Sequence, residues 1–471
     1  MTGTPPPNPF AAKPWACLGV AATGTFMATL DGGIVNVALP TIAQGFGADL
    51  PVAQWAVTVY LLVIACLLPA FGRLGDMHGR RRKYRAGFLI FAGASALCGA
   101  AGSMGWLIAG RALQAVGAAL LMANGPAIVV MSFPGPERGR ALGMIGMVVS
   151  LGSLAGPSLG GLLVDLFGWP SIFYVNLPVG LAGAFFAGRI LPDDRRETHE
   201  RFDLPGAALY AVGVVFLLTA VTHGGRWGWS FPGTLACFGV AAAGLALFLH
   251  RQARVAHPVV DLSLFRIPEL ALGNLASLLA FMALLANAVL LPFFLARVVG
   301  LGPGETGLVM AVLPLAMSFV APLSGFASEK VSHALLTGAG MACVAGGLYS
   351  QTLLAASAGF WRCAAGQAIL GVGFGLFLSP NNNAVLGSAP RAKSGVAGAV
   401  MALVRNLGMV CGIAVATAVY EAWRNASLAS GHGETEAFHA GFDAALTTAA
   451  CLALAGMLLS VFRALRKPPK R

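Results

Sequence analysis

Charge is what this sequence has least of. Only 10% of its 471 residues are Asp, Glu, Lys or Arg, where soluble domains carry roughly 25%, so no water-facing globular surface can be built from it. The pairings that carry most enzyme chemistry are missing too. The eight cysteines (17, 66, 98, 237, 343, 363, 411 and 451) sit in apolar stretches with no CxxC pair, which argues against a zinc site and a disulfide framework. The histidines fall mostly in loops without ligand spacing, and there is no phosphate-binding loop. An enzyme within the membrane would need clustered carboxylates, a metal-binding His group or an activated nucleophile. The expectation is therefore no enzyme, no cofactor and no bound metal. A channel would need repeated polar rings, and a sensor an output domain; neither is present. The proline-rich opening residues lack the basic start and small-residue cleavage site of a secretory signal, so the first helix is expected to be retained.

What is there in quantity is apolar: 57% of the residues, in blocks of about 20, the length that crosses a hydrocarbon core as a helix. The blocks predict fourteen spans, at about 15–38, 52–72, 86–104, 106–131, 141–164, 171–190, 204–222, 232–250, 270–296, 306–327, 334–355, 362–387, 395–420 and 441–463. Lys and Arg fix the orientation, because cationic loops stay in the cytoplasm. With both termini inside, 24 of the 30 fall on cytoplasmic segments and helix ends. The net charge of +12 is explained by topology, and no nucleic-acid partner is expected.

The chain also repeats itself weakly. Gly72 stands four residues before Asp76 after the second span, and Gly325 four before Glu329 after the tenth. Repeated halves mark secondary transporters, whose site lies between the repeats. The expected organisation is a tail at 1–14, a six-helix bundle at 15–190, linkers with a two-helix insert at 191–269, a second six-helix bundle at 270–463 and a basic tail at 464–471.

Few polar residues fall inside the spans, and they are the functional candidates. Asp31, about two-thirds along the first span, is an expensive buried carboxylate suited to taking up and releasing a proton. Met27 lies one helical turn before it. Arg111 in the fourth span must find a carboxylate, carbonyls or water, and Gln114 shares its face. Arg405 and Asn406 repeat the problem in the second half. With Asn287, Phe377 and Asn381 they complete the candidate lining of a central cavity. Gly152, Gly156 and Gly160, with Pro157, give the fifth span a smooth face for a sliding or rocking helix contact. Gly72, Gly75, Asp76, Gly79 and Arg80, echoed by Glu329, form a candidate cytoplasmic gate in which the acid binds helix N-termini or arginines.

These stretches resemble the motifs of the major facilitator superfamily, in particular its fourteen-span drug/proton antiporter branch. Gly72-Arg-Leu-Gly-Asp-Met-His-Gly-Arg-Arg-Arg-Lys83 is similar to the loop 2–3 signature, and Leu30-Asp-Gly-Gly-Ile-Val-Asn-Val-Ala-Leu-Pro40 to the first-helix motif. Leu107-Ile-Ala-Gly-Arg111-Ala-Leu-Gln114-Ala-Val-Gly117 resembles the fourth-helix motif, and Gly152-Ser-Leu-Ala-Gly-Pro-Ser-Leu-Gly-Gly161 the antiporter motif of the fifth. The resemblance implies an all-α integral membrane fold of two six-helix bundles plus two additional central helices. It also implies proton-coupled export of small amphipathic or hydrophobic compounds (multidrug efflux) by alternating access, with Asp31 and Arg111 in the proton relay. Export or import of one specific metabolite is the alternative. The expected partners are a small-molecule substrate, protons and the lipid bilayer, for a monomer in the cell membrane. One departure is Gly33, where the family usually has threonine, which removes a hydroxyl beside the acid.

Overall fold

A computed structural model describes residues 13–134, 137–193, 203–255, 262–328, 330–355, 357–390 and 394–465. Glu329 and most of both predicted tails lie outside the described residues, and the side chain of Asp76 is not described. The described chain is helical: α1 Pro14–Phe46, α2 Leu50–Ala53, α3 Trp55–His78, α4 Arg80–Gly99, α5 Met104–Ser132, α6 Arg138–Phe167, α7 Ser171–Tyr174 and α8 Asn176–Ile190 come first. Then follow α9 Leu204–Trp227, α10 Pro232–Gln252, α11 Pro268–Phe294, α12 Pro303–Ala327, α13 His333–Thr352, α14 Phe360–Ser388, α15 Ser394–Ala429 and α16 Glu434–Leu465.

Local chemistry sets the turns between them. Pro14 opens α1, where its missing N–H is no loss, and Gly47 closes it at φ +60°. The Ser103 hydroxyl caps α5 by accepting from the Trp106 N–H. Gly79 links α3 to α4 at φ +85°, a left-handed geometry that glycine alone adopts without strain.

Packing repeats along the chain. In the first half α1 lies on α6, α3 and α4 on α5, and α4 on α8; in the second α11 lies on α15, α12 and α13 on α14, and α13 on α16. The weak sequence repeat is therefore a repeat of helix neighbours. The halves meet where α6 packs on α12 and α3 on α15. The insert helices α9 and α10 pair with each other, and α9 touches both α3 and α15.

Among the described residues twelve stretches are long and apolar enough to cross a membrane, against the fourteen expected. The two that fall short are the predicted spans 86–104 and 334–355. The first begins inside a helix whose opening turns carry Arg80, Arg81, Arg82, Lys83 and Arg85, and the second is diluted by its glycines, threonines and Gln351. Both helices exist, as α4 and α13, and each packs closely on its neighbours. The predicted span 171–190 is broken at Val175 into α7 and α8.

The bundle has two chemically distinct ends. At the basic end, Arg81 donates to the Gly188 carbonyl and Arg251 pairs with Asp203 at 2.6 Å. At the far end, Phe46 meets Trp169 and Arg424 pairs with Glu434. Asp203 shows how the insert is pinned. Burial opposes its charge, but Arg251, the Gly206 N–H and Gln252 outweigh that and hold the carboxyl below its ordinary range. Its stabilising effect is thus full above the unfolded carboxylate pKa of about 4 and is lost as pH falls through the lower folded value. Asp203→Ala is expected to cost about 1–3 kcal/mol at neutral pH. The difference from the parent should shrink in acid; thermal unfolding at several pH values checks this, and a pH-independent difference contradicts it.

Candidate functional site

Five helices of the first half place polar groups around one point in the interior. Asp31 projects from the middle of α1, Tyr60 from α3, Ser95 from α4, Arg111 and Gln114 from α5, and Asn176 from the start of α8. Asp31, Ser95, Arg111 and Gln114 are fully buried, and Asn176 and Tyr60 nearly so.

Asp31 and Arg111 form an ion pair through Oδ2 and Nη1. The other carboxylate oxygen, Oδ1, accepts from Gln114 Nε2 at 2.8 Å and from Asn176 Nδ2 at 3.1 Å. Gln114 also accepts from Arg111 Nη1 at 2.6 Å and donates to Ser95 Oγ at 2.8 Å. Arg111 Nε donates to the Ala56 carbonyl at 2.9 Å, and its guanidinium carbon lies 4.0 Å from the centroid of the Tyr60 ring. Two charges out of water survive only when paired and hydrogen-bonded, and this network does both. One donor, Arg111 Nη2, has no partner. A proton on Asp31 would cancel the carboxylate charge and release Arg111 from its counter-ion, so a single protonation would rearrange contacts among α1, α3, α5 and α8.

Three helices close around the glycines of α6. A Cβ on Gly156 would stand 2.9 Å from the Leu30 carbonyl and 3.1 Å from Gly33 Cα, and one on Gly160 would stand 2.8 Å from Ile34 Cγ1. Gly152, Gly156 and Gly160 therefore seat α6 against α1 inside one half. The contact between halves is made by their neighbours: a Cβ on Gly161 would press into the Pro303 carbonyl and one on Gly307 into the Pro157 carbonyl. Gly33 belongs to the same seam. A side chain there would begin 3.2 Å from the Pro157 ring, so the departure from threonine fits the close approach of α1 and α6.

The other sequence candidates separate. Gln114 belongs to the ion-pair network. Met27 and Phe377 are buried in the apolar core. Asn287 exchanges amide hydrogen bonds with Gln367 at 3.3 Å. Asn381 is a cross-brace: its amide donates to Ser277 Oγ at 2.8 Å and its oxygen accepts from Arg463 at 3.0 Å. Asn406 is buried and donates to its own helix at Ala402. These three asparagines thus find hydrogen-bond partners on their own or neighbouring helices. Arg405 alone remains half-buried without a hydrogen bond or ion pair among the described residues. Of the gate set, Gly75 is pressed against Asn124, Arg80 reaches Met131 Sδ at 2.7 Å, and Gly72 has open space beside it.

Sequence reading missed Asn176, Ser95, Tyr60 and the Ala56 carbonyl. It also missed Asp165, which accepts from the Gly304 N–H across the halves at 2.8 Å. A second cross-half hydrogen bond, from Thr417 to Gln54, lies at the same far end. Among the described residues no group of three or more His, Cys, Asp or Glu could hold a metal ion.

The model of the Major Facilitator Superfamily matches residues 21–249 and 273–471. The chain belongs to the major facilitator superfamily. The break in the match of this facilitator falls on the connection from α10 to α11. It is 35% identical over 453 residues to the riboflavin transporter RibZ of Clostridioides difficile, covering 95% of this chain and 97% of that protein. It is 35% identical to the multidrug resistance protein Stp of Mycobacterium tuberculosis, over 86% of this chain and 75% of that one. The tetracenomycin C resistance and export protein of Streptomyces glaucescens is 31% identical, over 87% and 76%. The fold matches a bacterial homologue of the lysosomal transporter Spinster, crystallised inward-facing and unoccupied, with a TM-score of 0.69, 17% identity and coverage of 99% and 100%. The described residues thus have the major facilitator fold, and the protein is a multi-pass membrane transporter of small molecules.

Proposed function

We propose that this transporter exports small amphipathic or hydrophobic compounds in exchange for protons, by alternating access, with Asp31 as the coupling acid and Arg111 as its counter-ion. The observation that carries this is the fully buried Asp31–Arg111 pair joined to four helices of one half. There a single proton would change both charge and helix contacts. The cross-half hydrogen bonds and the Gly161 and Gly307 contacts all lie at the far end, which supports a state closed there and entered from the basic end. On this reading α4 and α13 also span, giving fourteen helices. The basic end is cytoplasmic, both termini lie there, and a monomer sits in the cell membrane. Residues 15–190 and 270–463 are then the moving halves, with 191–269 carrying the insert. The gate proposed for Gly72, Gly75, Asp76, Gly79, Arg80 and Glu329 would close the basic end in the opposite state.

Energetics allow one proton to suffice. A membrane potential contributes about 2.3 kcal/mol per charge per 100 mV, and tenfold accumulation needs about 1.4 kcal/mol. One coupled proton therefore sustains a gradient of tens of fold.

A second reading, export of one defined metabolite, is favoured by the near-full-length similarity to a protein named as a riboflavin transporter. Substrate-induced proton release from acidified proteoliposomes tests both, over a panel of lipophilic cations, aromatic carboxylates, neutral drugs and riboflavin. Wild type should release protons with several compounds, or with one on the second reading, and Asp31→Asn with none. Release that survives in Asp31→Asn removes this acid from the coupling role, and silence across the panel removes the export reading.

A further inference from the structure

The second half contains an unsatisfied polar locus outside the Asp31 network. Arg405 on α15 is half-buried and makes no hydrogen bond or ion pair among the described residues. A guanidinium eleven residues into an apolar helix is costly without an acceptor, so with none among the described residues its acceptor is water or a bound compound. On α11, Asn274 is 2% exposed; its amide nitrogen donates to Leu270 at 2.9 Å, while its Oδ1 has no partner.

The two residues lie at one level of facing helices. A Cβ on Gly408 would stand 2.7 Å from the Leu278 carbonyl and 3.1 Å from Phe281 Cβ, and Gly412 sits equally close to Met282. These contacts align α15 with α11. Arg405 is three residues before Gly408, and Asn274 four before Leu278, both toward the basic end, which displaces them by about 4.5 and 6 Å along the bundle. Arg405 also shares the face of Gly408 and Gly412. Just above, Phe281 and Phe374 place their rings 6.3 Å apart. The locus thus combines one cation, one acceptor oxygen and an aromatic wall.

We propose that Arg405 binds the acidic group of the transported compound, so that the preferred substrates are amphipathic oxyanions, typically aromatic carboxylates. Asn274 accepts from a hydroxyl, N–H or water beside that group, and the apolar body lies along Phe281. This rests on the export reading and names its substrate class. Among the described residues no charge pairs with Arg405: Asp31 is neutralised by Arg111, and Arg463 is engaged by Asn381 and lies 3.9 Å from Glu269. The Thr417–Gln54 bond sets the level of the first-half network. From it, Arg405 lies about 15 Å nearer the basic end than Ala56 and Arg111, so substrate charge and coupling proton occupy separate levels. An anionic lipid carries the same oxyanion chemistry, but α15 is packed by α11, α16, α3 and α9, which favours a soluble compound.

Equilibrium binding of labelled naphthalene-2-carboxylate to the purified full-length protein tests this, with methyl naphthalene-2-carboxylate as the uncharged competitor. Wild type should prefer the acid by roughly tenfold or more, the worth of one hydrogen bond to a charged group. Arg405→Gln should abolish that preference, Arg405→Lys keep part of it, and Asn274→Leu weaken it. Asp31→Asn should retain it, so a failure of proton coupling is separable from a failure here. No specific binding, equal binding of acid and ester, or a preference that survives Arg405→Gln overturns the proposal. So does displacement of the acid by phosphatidylglycerol in nanodiscs, which would assign the site to lipid.

Discussion

Asp31→Asn and Arg111→Gln, made singly, are each expected to destabilise the protein by about 3–5 kcal/mol, because each leaves a buried group without its partner. The two losses differ in kind. Asp31→Asn leaves a buried guanidinium whose acceptors, the Gln114 oxygen, the Ala56 carbonyl and the new amide oxygen, are all neutral. Arg111→Gln leaves a carboxylate that keeps the Gln114 and Asn176 donors but has no counter-charge. It can relax by taking a proton, so the second variant should be the milder. The double variant should recover much of the loss, since neither charge then remains unpaired. Thermal unfolding of all four proteins in one detergent gives the coupling energy. Strictly additive effects would mean that the pair does not exist in the folded protein.

Gly161→Leu and Gly156→Leu, five residues apart on one helix, are expected to fail in opposite ways. Gly161 meets the Pro303 carbonyl of the other half, so a leucine there pushes α6 from α12 at the far end and leaves each half intact. That protein should fold, lose most transport and expose a cysteine placed at position 54 to an impermeant reagent from the far end. Gly156 meets Leu30 and Gly33 of its own half. Its leucine variant should lose about 1–3 kcal/mol through overpacking and disturb the Asp31 helix directly. If the two variants showed the same unfolding and labelling behaviour, the division of this glycine face between the two seams would be wrong.

How much of this was legible beforehand depends on the kind of residue. Asp31 and Arg111 stand out in any apolar run because a charge in lipid demands an explanation, and Gln114 follows from helical spacing. Their pairing did not follow, because 80 residues separate them and nothing in periodicity sets which faces of α1 and α5 meet. Asn176, Ser95 and Tyr60 are ordinary residues whose importance is purely positional. Composition delimited the helices well, but hydropathy leaves α4 and α13 out, whose place in the bundle is secured by packing on α5, α14 and α16. The glycines of α6 announce close approach, yet a one-residue step of about 100° decides whether the neighbour is α1 or α12. Arg405 was visible as an anomaly; its lack of a partner was not.

The start of α12 belongs to both halves at once. Its N-cap is Gly302, which has no side-chain acceptor to offer, and the Gly304 N–H is served by Asp165 from α6. On the alternating-access reading, opening the far end would remove that acceptor and link the integrity of the first turn to the position of the halves. By reciprocity, anything that frays the turn would favour the open state by the same free energy. Helix capping, ordinarily a local property of sequence, would then become a readout of which way the transporter faces.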